Sequence, residues 1–145
     1  MLFAALMASI FCFGQDDCSI EQINSIIASK TFGNADVPPI RSLGSYPTGK
    51  DAILFLPDSA SNQLGVVYVR RPSKIDPIEQ LTLYFHDEKL IKAEVTANGQ
   101  KEVSVLYFDK GRSFASSAKA PAFISADRIL KIAEEYMQYY KKSTH

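Results

Sequence analysis

The chain has 145 residues, and its 16 Lys and Arg balance its 16 Asp and Glu, so the formal net charge at pH 7 is zero. This balance argues against a nucleic-acid-binding protein, because such proteins use a basic surface to neutralise phosphates. The length suits one domain and allows a core large enough to fold without disulfides.

Residues 1–14 are the most informative segment for location. They contain no charged side chain, and the polar sequence Gln15-Asp16-Asp17 follows them. An apolar stretch that ends in a small residue, here Gly14, is typical of a secretory signal peptide, although a signal usually also carries Lys or Arg near its start. The stretch is shorter than the about 20 residues that a membrane-spanning helix needs. We predict a signal peptide at 1–14, one domain at 15–145, no transmembrane span, and a periplasmic or extracellular location; a buried N-terminal helix is the alternative.

Two cysteines flank the expected cleavage site. If Cys12 leaves with the signal peptide, Cys18 stays as an unpaired thiol that could remain free or link two chains into a dimer. Neither cysteine follows the small residues of a bacterial lipidation site. A catalytic role for Cys18 is disfavoured, because the two carboxylates before it oppose thiolate formation.

A helix is predicted to open the exported domain. Ser19 and Gln22 have the spacing of a capping box, and isoleucines at 20, 23 and 27 repeat at helical spacing. The helix should end near Lys30. From Phe32 to Lys50 the chain is rich in Gly, Pro, Ser and Asn, so we expect an ordered loop or an arm across the sheet.

A run of short strands follows, separated by turn residues, which indicates an antiparallel meander. The clearest turns are Asn98-Gly99 and Asp109-Lys110-Gly111. The predicted strands are Ala52 to Leu56, Gly65 to Arg70, Gln80 to Phe85, Leu90 to Thr96, Glu102 to Phe108 and Arg112 to Ala115.

The register of each hairpin can be predicted by asking which pairing sorts apolar side chains to one face. An odd loop around His86-Asp87-Glu88 sets Leu83 opposite Ile91. A bulged or three-residue Asn-Gly turn sets Val95 opposite Val103.

A three-residue turn with Gly111 in the left-handed conformation sets Leu106 opposite Phe114 in the last hairpin. Together these registers predict one apolar sheet face. Its members are Leu81, Leu83, Ile91, Ala93, Val95, Val103, Val105 and Tyr107.

A closing helix is predicted to cover that face. Ser125 is its expected cap, and its polar side carries Glu134 and Glu135 rather than the basic array of a membrane-surface helix. Its apolar side consists of Ile129, Ile132, Ala133, Tyr136, Met137 and Tyr140. The fold class is therefore α+β: an antiparallel meander of about five to six strands, with an N-terminal helix and a longer C-terminal helix packed on one face.

The opposite face of the predicted sheet is polar at one end and aromatic at the other. We predict that it binds a protein, a peptide or a small apolar ligand. The interpretation that we favour for the aromatic cluster itself is that the N-terminal helix or the Pro-rich arm folds over it and forms a second small core, because large exposed aromatic clusters are uncommon on monomers. The candidate binding residues are Tyr84, Leu90, Lys92, Leu106, Phe108 and Phe114.

Motifs for catalysis are scarce. Residues 44–51 have the spacing of a phosphate-binding loop, but Asp51 replaces the hydroxyl that would hold Mg²⁺, and a strand rather than a helix follows. His86 lies in a predicted turn and His145 ends the chain, and no Gly-x-Ser-x-Gly, Cys-x-x-Cys or His-Glu-x-x-His motif is present. The sequence predicts no catalytic residue, no metal ligand and no cofactor.

The stretch from Leu83 to Val95, an aromatic strand followed by a polar turn and a strand that begins Lys89-Leu90-Ile91, resembles hairpins of small exported bacterial domains, including PepSY-like and inhibitor-like modules. One hairpin does not identify a family. Two hypotheses follow: a non-catalytic binding module of the bacterial envelope, which we favour, or a small secreted hydrolase that uses carboxylates or His86 in a cleft under the Pro-rich segment.

Overall fold

A computed structural model describes residues 18–33, 42–43, 46–47, 52–70, 78–97, 99–116 and 125–144. The predicted signal peptide, Cys12, and the phosphate-loop-like segment except for Tyr46 and Pro47 lie outside the described residues. The described chain forms two helices and a six-stranded antiparallel sheet, which confirms the predicted α+β class.

The sheet is a meander in which each strand pairs with its neighbours in sequence. All six predicted strands are present, most of them one or two residues longer than expected. The elements are α1 (Ile20–Ala28), β1 (Ser42–Leu43), β2 (Tyr46–Pro47), β3 (Ala52–Pro57), β4 (Leu64–Arg70), β5 (Ile78–His86), β6 (Lys89–Ala97), β7 (Val103–Asp109), β8 (Arg112–Ser116) and α2 (Ala126–Thr144). The short strands β1 and β2 pair with each other, and β3 to β8 form the main sheet in that order.

Helix α2 covers one face of the main sheet, which we call the helix face. Its start is capped as predicted, since the Ser125 hydroxyl accepts a hydrogen bond from the Arg128 N–H at 3.2 Å. All six residues of its predicted apolar side are buried. At the β3 edge, the Phe55 ring lies about 6 Å from the rings of Tyr136, Tyr139 and Tyr140. Among the described residues, no helix combines the length and apolarity needed to cross a membrane.

Helix α1 begins with the predicted capping box. The Ser19 hydroxyl accepts from the Gln22 N–H at 3.1 Å, and the Gln22 side chain accepts from the Ser19 N–H at 2.7 Å. Ile23 and Ile26 are buried, whereas Ile20 is exposed. The helix therefore presents one narrow apolar side to the sheet.

Both ends of α1 are fastened to turns of the sheet. Before the helix, the Cys18 N–H donates to the Asp109 carboxylate at the end of β7, at 3.0 Å. After it, the Lys30 ammonium donates to the Asp58 carboxylate beyond β3, at 2.7 Å. Helix α1 therefore lies across the sheet, from the last hairpin turn of the sheet to the first.

The turn between β5 and β6 has two residues, so the predicted odd loop is wrong. Asp87 and Glu88 occupy it with φ of 50° and 65°, and the flanking residues of the two strands pair directly. One extra residue in β6, Ile91, then bulges out and shifts the pairing, so that Leu83 lies opposite Ala93. We predicted Ile91 on the helix face. The bulge instead turns its side chain to the opposite face, where it packs with the isoleucines of α1.

The pairing of β6 with β7 is also shifted by one residue from the prediction. Val95 lies opposite Ser104 rather than Val103, and Ala93 lies opposite Leu106. The connection is longer than a tight turn, with the Gln100 N–H bonded to the carbonyl of Ala97. Because side chains alternate along a strand, this shift moves every β7 side chain to the other face.

The turn between β7 and β8 has two residues instead of the predicted three. Gly111 has a φ of 76°, which confirms its left-handed conformation. Arg112 lies opposite Asp109, and Leu106 lies opposite Ser116 rather than Phe114. The pairing passes from Ser113 to Ala115 without a partner for the residue between them, so β8 carries a bulge.

Candidate binding surface on the tyrosine face

The tyrosine face is the side of the main sheet opposite α2. Helix α1 covers the end of this face that lies nearest the hairpin turns. Its isoleucines pack on Ile91, and the rings of Tyr84 and Tyr107 lie against this small cluster. The N-terminal helix thus forms a second small core on this face, as we predicted for the covered arrangement.

The six predicted binding residues are divided between the two faces. Tyr84, Lys92 and Phe114 lie on the tyrosine face, where Lys92 contacts both Tyr84 and Tyr107. Leu90, Leu106 and Phe108 lie on the helix face and are buried in the core. The register shift of β7 explains why Leu106 and Phe108 lie on the helix face, and the bulge at Ile91 explains why Leu90 does.

Cys18 is disulfide-bonded in the structure. This differs from the unpaired thiol that we expected after signal cleavage, on which the dimer prediction depended. Its side chain is buried beside Ile23 and Ile91.

A polar network joins α1 to the tyrosine face. The Lys92 ammonium lies 5.7 Å and 5.5 Å from the ring centres of Tyr84 and Tyr107, which is cation–π distance. It also donates to the Asn24 side-chain oxygen at 3.0 Å, while the Asn24 amide donates to the Tyr107 hydroxyl at 3.3 Å. The network links both rings to α1 through Lys92 and Asn24.

The Tyr84 hydroxyl donates to the Glu94 carboxylate at 2.6 Å. Burial raises the pKa of Tyr84 well above its usual range, and the hydrogen bond to Glu94 and the charge of that carboxylate raise it further. Tyr84 therefore acts as a neutral hydrogen-bond donor and not as a proton-transfer group at neutral pH.

Beyond α1, the tyrosine face presents apolar side chains to solvent near the β8 edge. Val103 and Phe114 are 48% and 43% exposed. Val105 and Tyr107 are half-buried between them, and the Tyr107 and Phe114 ring centres are 6.3 Å apart. We call Val103, Val105, Tyr107 and Phe114 the β7–β8 strip. The sequence identified only Phe114, because it assigned the three β7 residues to the core.

His86 lies at the end of β5, near the contact that fastens the C-terminal end of α1. Its Nε2 atom is 3.5 Å from the Asp87 carboxylate. Burial lowers the pKa of His86, and the nearby Lys30 ammonium lowers it further, against the opposing effect of Asp87 and Asp58. The imidazole is therefore neutral at pH 7.

Asp58 is held by several donors. Burial raises its pKa, but hydrogen bonds from Lys30, from the Ala60 N–H and from Ser61, with the Lys30 charge, together lower it below its usual value. This carboxylate already accepts bonds at both oxygens, which is the arrangement of a structural turn. Within the described residues, no group of three or more His, Cys, Asp or Glu is placed to hold a metal ion.

A shallow groove of about 410 Å³ lies on the helix side of the β5–β6 and β7–β8 turns. Its floor includes Phe85 and Leu90, and its rim includes Lys89 and Lys110. Its two carboxylates are engaged by α2: Glu88 pairs with Lys141, and Glu134 accepts from Gln138. The groove combines charges of both signs.

Comparison of the chain with protein-family models, with curated proteins and with solved structures gives no match.

Proposed function

We propose that this chain is an exported, non-catalytic binding module of the bacterial envelope, and that it binds a protein or peptide through the β7–β8 strip. The observation that carries the proposal is the exposure of Val103 and Phe114 beside the half-buried Tyr107. Aromatic and aliphatic side chains that share one exposed patch with polar neighbours are typical of protein-binding surfaces. Export is proposed from the apolar segment at 1–14.

The shape of the strip favours a macromolecular partner over a small apolar ligand. Small-molecule sites are concave and enclose most of the ligand. The strip is instead formed by neighbouring strands of a sheet, with the Tyr107 ring fixed by the Asn24 contact. A rigid aromatic on an open surface is the arrangement of an interface residue with large contact area and little entropy to lose.

The alternative is a small hydrolase that uses His86. A neutral imidazole beside Asp87 has the protonation state of a general base. However, the Asp87 side chain is 66% exposed and lies in a turn, so the pair is solvated. We rank this function second for that reason.

Site-specific photo-crosslinking in the native envelope tests the proposal. The full chain carries a photoreactive amino acid either at position 114 or at position 54. Leu54 is the matched control, because it is 46% exposed and lies on β3 at the opposite edge of the sheet. We expect a discrete crosslinked species from position 114 that disappears when Val103→Lys is also present, and none from position 54.

Two results contradict the binding proposal. One is equal crosslinking from both positions, or none from position 114. The other is hydrolysis of a substrate in a panel of hydrolase substrates, provided that His86→Asn abolishes this activity. That result would favour the hydrolase hypothesis.

A further inference from the structure

The β7–β8 strip lies beside the edge of the described part of the main sheet. In the part of the chain that the structure describes, the main sheet ends at β8, which pairs with β7. Of its five residues, Arg112–Ser116, all except Ala115 are exposed. An edge strand has backbone N–H and C=O groups on its outer side that can pair with another strand.

The apolar side chains of the strip lie within reach of a strand added at that edge. Phe114 belongs to β8 itself, and Tyr107 contacts it from the next strand inward. In an added strand every second side chain would point to the tyrosine face. Those side chains would cover Phe114, whose ring is now exposed to solvent.

The edge is not built for pairing with an identical edge. It is short, it begins with an arginine, and it is bulged at Phe114. Short length, charge and bulges are the devices by which natural proteins prevent edge-to-edge association of identical chains. A partner segment of complementary sequence is therefore favoured over a second copy.

Charge around the strip is unequal at its two ends. Near the β7–β8 turn lie Lys92, Lys110 and Arg112, the latter two exposed. Three described carboxylates near this end are engaged within the protein: Asp109 is buried and accepts from the Cys18 N–H, Glu94 accepts from Tyr84, and Glu88 pairs with Lys141.

The other end of the strip is balanced. Lys101 and Glu102, both exposed, precede Val103 and cancel each other in charge. Among the described residues of β8, the exposed Arg112 places positive charge at the turn end, which favours negative charge at the matching end of an approaching segment.

We infer that the partner of the β7–β8 strip is an extended protein segment that adds as a strand along β8, with alternating apolar side chains over Tyr107 and Phe114 and an acidic end beside Arg112. This inference rests on the proposed function and names its mode of binding. Main-chain hydrogen bonds supply affinity in such complexes, while alternate side chains and charge supply specificity.

Two synthetic peptides test the inference on the full chain. Both have an alternating Val-Thr core, and one ends in two glutamates where the other ends in two lysines. We expect the acidic peptide to bind at least about tenfold more tightly at low salt, with a preference that falls as salt is added. Fluorescence anisotropy measures the affinity, and amide hydrogen exchange locates the strand. Amides at 112–116 should gain protection, while those of β3 should not.

Charge-reversal variants provide the matched control. Arg112→Glu should weaken binding of the acidic peptide by about tenfold and improve that of the lysine peptide. Arg70→Glu should leave both unchanged, because Arg70 is similarly exposed but lies at the end of β4, away from the strip.

Failure of the inference differs from failure of the proposed function. A crosslink from position 114 without protection of β8 amides overturns strand addition and leaves the binding surface standing. Equal affinity for the two peptides, or no binding of either at millimolar concentration, contradicts the inference that the partner is a strand with an acidic end. Concentration-dependent dimerisation that protects 112–116 assigns the edge to a second copy and also overturns it.

Discussion

Tyr107 and Phe108 are adjacent in β7 and have opposite environments. Phe108 is fully buried on the helix face, whereas Tyr107 is half-buried on the tyrosine face with its hydroxyl hydrogen-bonded to Asn24. A phenyl ring has no polar group to satisfy, while a tyrosine hydroxyl needs a partner or water. The observed register therefore gives each ring the environment that suits its chemistry.

Truncation of Phe108 tests this register. Phe108→Ala should lower the free energy of unfolding by about 3 to 5 kcal/mol, because it removes a buried ring and leaves a cavity. Phe114→Ala is the control, since Phe114 is exposed, and its loss should change stability by less than about 1 kcal/mol. Urea denaturation followed by circular dichroism measures both. A larger loss for Phe114→Ala would mean that the tyrosine face is covered more completely than the contacts of α1 indicate.

At this scale the sequence could predict part of the candidate site. Tyr84 and Lys92 were placed on the correct face because hydrophobic alternation fixes the inner strands. Phe114 lies on the predicted face for a different reason, since the β7 shift and the β8 bulge together offset its mispredicted pairing with Leu106. The β7 residues were misplaced because both registers of that strand bury apolar side chains: two valines and a tyrosine in one, and Leu106, Phe108 and a serine in the other. Counting apolar residues favoured the first. The polar hydroxyl of Tyr107 is the signal that would have favoured the second.

Among the elements, the helices were predictable because their signals are local. The spacing of Ser19 and Gln22 defines a cap within one turn, and Ser125 does the same for α2. Turn lengths were less predictable, because an Asn-Gly or Lys-Gly pair fits loops of several lengths. The bulge at Ile91 could not be foreseen, since it depends on packing beneath α1, an element distant in sequence.

The caps of the two helices should have separable effects. Ser19→Ala should lower the protection of α1 amides by about 1 kcal/mol and leave α2 unaffected, because α1 is a short helix of nine residues that packs in a different cluster from α2. Ser125→Ala is the matched change in α2. Native-state hydrogen exchange resolves the two. If Ser19→Ala lowers protection equally in both helices, α1 opens only when the whole domain unfolds.

For the whole molecule, the meander could be predicted because short connections between consecutive strands leave few other topologies. The layers on its two faces follow from the amphipathic helices.

Stability of the domain should fall in two separate pH ranges. His86 has a lowered pKa, so the unfolded chain binds its proton more readily; stability is full above the unfolded value of 6.5 and falls as the pH drops below it. Asp58 also has a lowered pKa, so its contribution is present above 3.8 and is lost as the pH falls through its folded value.

Denaturation midpoints measured from pH 8 to pH 2 check both ranges. His86→Asn should flatten the profile between pH about 7 and 5, and Asp58→Asn should flatten the acidic part below pH about 4. A profile of His86→Asn that keeps the full slope near neutrality would show that His86 titrates in the folded protein as it does in the unfolded chain.

The way α1 is fastened has a consequence for how the domain holds together. In a meander, the backbone hydrogen bonds between strands join only strands that are close in sequence. Each outermost hairpin could therefore separate from the sheet on its own. The Cys18–Asp109 bond spans 91 residues and the Lys30–Asp58 pair spans 28, and one nine-residue helix links the two. Helix α1 thus links the first and last hairpins. Separation of either hairpin from the sheet must therefore also disturb the contact between α1 and the other hairpin.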